Sequence, residues 1–185
     1  MGVNFIDSTP LRMCRNQRIL CHKVFKGIAK RGHCSMEWSF WFKLHLIINE
    51  KGKILNFKFM PGNVDDMVPL KYENFIRVFY GKLVADKGYI SQELFNKLFI
   101  NCIQLVAKIK NNIKNSLMSM ADKILLWKWV LIESINNELK NIAQIEHSRH
   151  CSFSNFIVNT IAALAVYCFF TKKLSISMEH YHDNQ

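Results

Sequence analysis

The reading of this chain turns on LVADKGYIS, residues 83–91. Three apolar residues, Leu83, Val84 and Ala85, run into Asp86; Lys87 and Gly88 turn the chain, and Ser91 stands where a helix can begin. The pattern is that of a buried strand, a turn and a helix N-cap. An acid at the carboxyl end of a buried strand is held on rigid backbone yet faces solvent, which suits a metal ligand. Turn chemistry alone also favours Asp at such a place. Its role therefore depends on whether other carboxylates reach it.

Downstream, Ser91 to Phe99 reads as a helix with Glu93 in its first turn, and 103–109 (IQLVAKI) as a further buried strand. A basic linker, Lys108 to Lys114, leads to a long helix expected from about Asp122 to Ala143. Ile132, Ile135, Leu139 and Ile142 form its apolar stripe, while Glu133, Asn137 and Lys140 project from one face at helical spacing. Upstream, 38–48 (WSFWFKLHLII) alternates, with Phe40, Phe42, Leu44, Leu46 and Ile48 on one face and Lys43 and His45 on the other. His45 reads as a half-exposed sheet residue. Asn49 to Gly52 supplies a turn into a second strand, 53–60, and the hairpin leaves through the polar loop Pro61 to Asp66. Residues 67–80 look helical. The chain starts with a short strand, 3–7 (VNFID), expected to break at Ser8-Thr9-Pro10. The order of elements gives an α/β fold with a mixed sheet of about five strands flanked by helices.

Half of the 185 residues are hydrophobic, enough for one well-buried domain and too many for a disordered chain. The formal charge of +11 and a pI near 9.5 point to a polyanionic partner. Arg12, Arg15, Arg18, Lys23, Lys26, Lys30 and Arg31 fall in an irregular stretch, 12–33, that holds no acid: a patch for phosphates, or a solvated loop. The six cysteines are scattered without a CxxC pair and read as reduced thiols; Cys21, His22, His33 and Cys34 lack zinc-site spacing. From Cys151 to Thr171 no residue is charged, but the polar residues within it and the helical spacing of Phe153, Phe156, Ile157, Ile161, Leu164 and Cys168 favour a buried amphipathic helix over a membrane span.

Several ordered motifs then carry a resemblance. FIDSTPLRMCRNQRI, HKVFKGIAKRG, FKLHLIINEKGKI, PGNVDD, ADKGYIS, and IESINNELKNI followed by HSRH resemble, in this order, bacterial insertion-sequence transposases of the DDE type, over about Asn4 to Lys173. The resemblance implies a ribonuclease-H-like fold and cut-and-paste DNA transposition. It implies Asp7, Asp86 and Glu133 as catalytic acids and metal ligands, and two Mg²⁺ or Mn²⁺ ions as cofactors. Arg15, Lys23, Lys26, Lys87, Asn137, Lys140, His147 and Arg149 are implied as DNA contacts. The partners implied are double-stranded DNA, at transposon ends and target, and a second copy in a homodimer, in a cytoplasmic, nucleoid-associated setting without a membrane.

The chain also departs from that pattern. Trp129 stands one turn before Glu133, where an Arg is usual, and Trp127 where a second basic residue is common. Both read either as base-stacking groups or as losses of function. Cys151 replaces an expected arginine, and Ala85 a usual glycine. The family places a helical region before its first acid, and six residues stand there here. The expectation is a transposase catalytic domain over 1–173 with a polar tail, 174–185, truncated at its N-terminus and inactive if end recognition is lost. The alternative is a non-catalytic DNA-binding remnant that interferes with a full-length enzyme.

Overall fold

Alternating and continuous apolar runs assemble into one mixed sheet. The computed structural model describes residues 2–15, 23–33, 38–108, 118–146 and 152–175, apart from the side chains of 15, 31–33, 38 and 39. The strands are β1 (Val3–Arg15), β2 (Lys30–His33), β3 (Trp38–Asn49), β4 (Ile54–Pro61), β5 (Gly81–Ala85) and β6 (Ile103–Ala107). β1 is central: it pairs antiparallel with β3 and parallel with β5, and β5 pairs parallel with β6. The far edge of β3 is shared, β4 taking Phe42–Ile48 and the short β2 taking Trp38–Trp41. The expected α/β sheet is therefore present, with β2 as a small addition to it.

Each face of the sheet has its own core. Phe5, Leu11, Phe42, Leu44, Leu46, Ile48 and Val84 pack against helices α3 (Met120–Lys128), α4 (Val130–Asn141) and α5 (Phe153–Cys168). Ile6, Ile47, Leu83 and Ile103 pack on the other side. Their cover is a 3-10 turn (Val68–Lys71), the one-turn α1 (Glu73–Ile76) and α2 (Gln92–Ile100). Residues 67–80 are thus two short turns where a longer helix was expected. A stack of Phe42 on Phe156, with ring centroids 5.3 Å apart, receives Phe25 edge-on and so pins the loop before β2 to the core.

Four more expectations are corrected. β1 does not break at Pro10 but continues to Arg15. The β1–β5 pairing is confined to Val3–Phe5, so the missing proline N–H removes no bond on that side. Part of the stretch expected to be irregular, 12–33, is strand. The long helix is two helices that meet at Trp129, where Trp129 N bonds Leu126 O and Ile132 N bonds Trp129 O, tight three-residue steps. In α5 the buried residues are Phe156, Thr160, Ala163, Leu164 and Tyr167, whereas Ile161 and Cys168 are exposed. That rotation lets the Tyr167 hydroxyl donate to Gly52 O at 2.7 Å and Thr160 to Phe156 O at 2.8 Å. Among the described residues, no helix is long and apolar enough to cross a membrane.

Candidate active site

The β1–β5 register pairs Phe5 with Val84. Continued two residues, it sets Asp7 level with Asp86, at the point where β5 ends and β1 loses its parallel neighbour. Asp86 precedes a 3-10 turn (Lys87–Tyr89), and Tyr89 N bonds Asp86 O at 3.1 Å. The Asp86 carboxylate makes no capping bond to that turn. A residue kept for turn chemistry would spend its side chain there; Asp86 does not.

Asp7 is half-buried and accepts a hydrogen bond from Asn136 Nδ2 on α4 at 2.8 Å. Burial pushes its carboxyl up from 3.8 to about 7, the Ser8 amide and Asn136 oppose that shift, and the negative charges of Asp66 and Asp86 add to it. Asp7 therefore senses the charge of Asp86. A cation between them would relieve both the repulsion and the burial of charge, and all-oxygen donors suit a hard divalent ion.

Glu133 lies exposed in the first turn of α4, three residues before Asn136. The helix that touches Asp7 thus also carries Glu133. Among the described residues, however, no three His, Cys, Asp or Glu side chains come together as a metal-binding group. Asn137 is exposed beyond Glu133, and Lys140 pairs with Glu146 at 3.4 Å. The expected stripe of α4 is buried at Ile132, Ile135 and Leu139, while Ile142 is exposed and Asn136 takes a buried place. Lys23, Lys26 and Lys87 are exposed; Arg15 lies on β1, and its side chain, His147, Arg149 and Cys151 fall outside the described residues.

Trp129 has a structural place: its indole N–H donates to Ile6 O at 3.1 Å, next to Asp7, and Lys108 Nζ lies 5.0 Å from the ring centroid. Trp127 is 82% exposed. His45 is fully buried rather than half-exposed, because the turns on that face cover the centre of β3; burial holds its imidazole down at about 4. Ser8, Asp66, Asn136 and Tyr89 were missed by reasoning from sequence. Only Asp66 carried a signal there, as half of the Asp65-Asp66 pair.

A family model described as "Transposase DDE domain" matches residues 1–153. No curated protein matches the chain. Among solved structures, it resembles a cryo-EM structure of piggyBac transposase in a synaptic complex with hairpin DNA, at a TM-score of 0.43 and 13% identity. That likeness covers 62% of this chain and 24% of the other.

Proposed function

Because this chain belongs to the transposase DDE-domain family, we propose that it is the catalytic domain of an insertion-sequence transposase of bacterial type. It would hydrolyse and transfer phosphodiester bonds at the ends of its element and in target DNA, as a homodimer. The observation that carries this reading is the β1–β5 register, which continued two residues sets Asp7 level with Asp86 where β5 ends, together with the charge of Asp86 helping to raise the Asp7 carboxyl.

Asp7, Asp86 and Glu133 are the proposed ligands. When bound, two Mg²⁺ or Mn²⁺ ions supply charge neutralisation and activate a hydroxyl nucleophile, a water first and a DNA 3′-hydroxyl later. Phosphoryl transfer asks little covalent chemistry of the protein, so the chain's own work is holding and orienting. Asp7 must give up its proton to serve, and the Asn136 N–H both orients the carboxylate and favours its charged form. Glu133, exposed at the start of α4, is the proposed third ligand, turning in when the metal binds. Lys87, beside Asp86, and Asn137, beyond Glu133, are exposed, which supports them as the proposed DNA contacts. Lys140 reaches a phosphate by exchanging its partly exposed bond to Glu146, an exchange of small cost. Lys23 and Lys26 extend the basic surface.

The test uses DNA bearing the inverted repeats that flank the reading frame. Metal-dependent nicking or strand transfer by the wild-type protein, abolished by Asp86→Asn, is expected. Equal cleavage by both proteins overturns the assignment. Salt-dependent binding without cleavage, indifferent to substitution of Asp7, Asp86 or Glu133, would indicate a non-catalytic DNA-binding protein instead.

A further inference from the structure

Next to the acid pair, on the opposite face of the sheet, lies a polar cluster that metal ligation does not use. Neighbouring residues on a strand point to opposite faces, so Ser8 faces away from Asp7. It shares its side with Lys43 and His45, which alternate with the buried Leu44 and Leu46. Asp66, on the loop after β4, accepts from Ser8 Oγ at 2.7 Å and from Lys43 Nζ at 2.9 Å. The same lysine donates to Val64 O at 2.9 Å, which fixes the loop. The second oxygen of Asp66 faces Gly88: a Cβ built there would meet it at 3.8 Å. Asp66 thus bonds the residue after Asp7 and lies beside the turn after Asp86.

Two buried groups face Asp66. His45, opposite Ser8 in the β1–β3 register, is fully buried with neither ring nitrogen partnered. The Tyr89 hydroxyl, on the turn beyond Asp86, is buried beside the Ser8 hydroxyl. The charge of Asp66 acts on both. Buried polar groups left without partners are costly, and an apolar filling would serve a purely structural purpose better.

We propose that Asp66 is a positioning residue: by holding Ser8 on β1 and the turn Lys87–Tyr89 after β5, it fixes Asp7 relative to Asp86. The proposal deepens the reading of this site as divalent-cation-dependent and rests on that reading. Asp66 is not itself a ligand; it acts through the two backbone segments it joins.

Mn²⁺ alone is the probe, titrated into the full chain by calorimetry, with amide exchange at 87–90 followed separately in the absence of metal. Asp66→Ala is expected to raise the Mn²⁺ dissociation constant roughly tenfold, in the range typical of lost outer contacts to ligands, and to speed exchange at Gly88 and Tyr89. Ser8→Ala, a small change that cuts the tie from Asp66 to β1, is expected to weaken Mn²⁺ severalfold. Asp66→Asn keeps the shape and one acceptor oxygen, and is expected to stay near wild type. Wild-type affinity or wild-type exchange in Asp66→Ala overturns the proposal, as does Asp66→Asn behaving like Asp66→Ala. Should Asp66→Ala not fold, Ser8→Ala and Asp66→Asn decide it, and wild-type Mn²⁺ affinity in Ser8→Ala counts against it. Absence of Mn²⁺ binding by the wild-type chain contradicts the proposed function instead, and the exchange rates then judge the positioning role alone.

Discussion

Asn136 Nδ2 donates to Asp7 Oδ2 at 2.8 Å, a bond that ties helix α4 to the strand carrying Asp7. Its removal by Asn136→Ala leaves a half-buried carboxylate short of a donor. The expected loss is about 1–2 kcal/mol of stability at pH 8, where Asp7 is charged. The Asp7 carboxyl, already raised to about 7, is expected to move higher. Denaturant melts and carboxyl NMR titration read the two effects.

Asp7 and His45 give the apo protein opposing pH dependences. Asp7 binds its proton more tightly folded than unfolded, so its contribution to stability falls as pH rises from 3.8 through about 7. His45 binds its proton less tightly folded, so its contribution falls as pH drops from 6.5 through about 4. The windows overlap and the slopes oppose. Between about pH 4 and pH 6.5, Asp7→Asn should therefore make stability climb with pH more steeply than in wild type, and His45→Leu should make it climb less or fall. Thermal melts of the three metal-free proteins across that range measure it; parallel pH profiles would contradict the assignment.

Trp129 shows how a departure from a family pattern acquires a physical reason. Its indole bond to Ile6 O lies one residue from Asp7, and the helix tightens at that residue. Trp129→Phe keeps the ring and loses the donor, at an expected cost of about 1 kcal/mol. Trp127→Ala, at an exposed position, is expected to change stability by less than about 0.5 kcal/mol. Equal losses at the two positions would contradict the structural role of Trp129.

Lys82 on β5 pairs with Asp122 on α3 at 2.7 Å with both side chains largely buried, and Ser119 also donates to Asp122 at 2.9 Å. Asp122→Ala strands a mostly buried lysine and should cost about 3 kcal/mol. The exposed Glu73–Arg77 pair, also at 2.7 Å, should cost under about 0.5 kcal/mol when Glu73 is replaced by Ala. Distance is the same; burial makes the difference.

What the sequence made legible was local. LVADKGYIS has the run of apolar residues and the turn that make β5 and its exit, and WSFWFKLHLII has the alternation that makes β3. What stayed hidden depends on partners distant in sequence. Pro10 marks a break by its own chemistry, but the short reach of β1–β5 pairing lets the strand run through it. The helix pattern over 122–143 is continuous, and the tight step comes from an indole held 123 residues away. His45 alternates like an exposed residue and is buried because turns from later in the chain cover it. Asp66 gains its role from Ser8, 58 residues earlier, a contact no spacing rule announces. For the acids, the family resemblance gave the candidates, and the β1–β5 register, continued two residues, brings Asp7 level with Asp86.

The central claim is that Asp7 and Asp86 share a divalent cation with Glu133 closing the site. A crystal of the protein soaked in Mn²⁺ and measured at the manganese edge tests it most directly. The account predicts anomalous density between the Asp7 and Asp86 carboxylates, with Glu133 turned in from α4 to within ligand distance. Manganese found elsewhere, with the space between Asp7 and Asp86 empty, would contradict it.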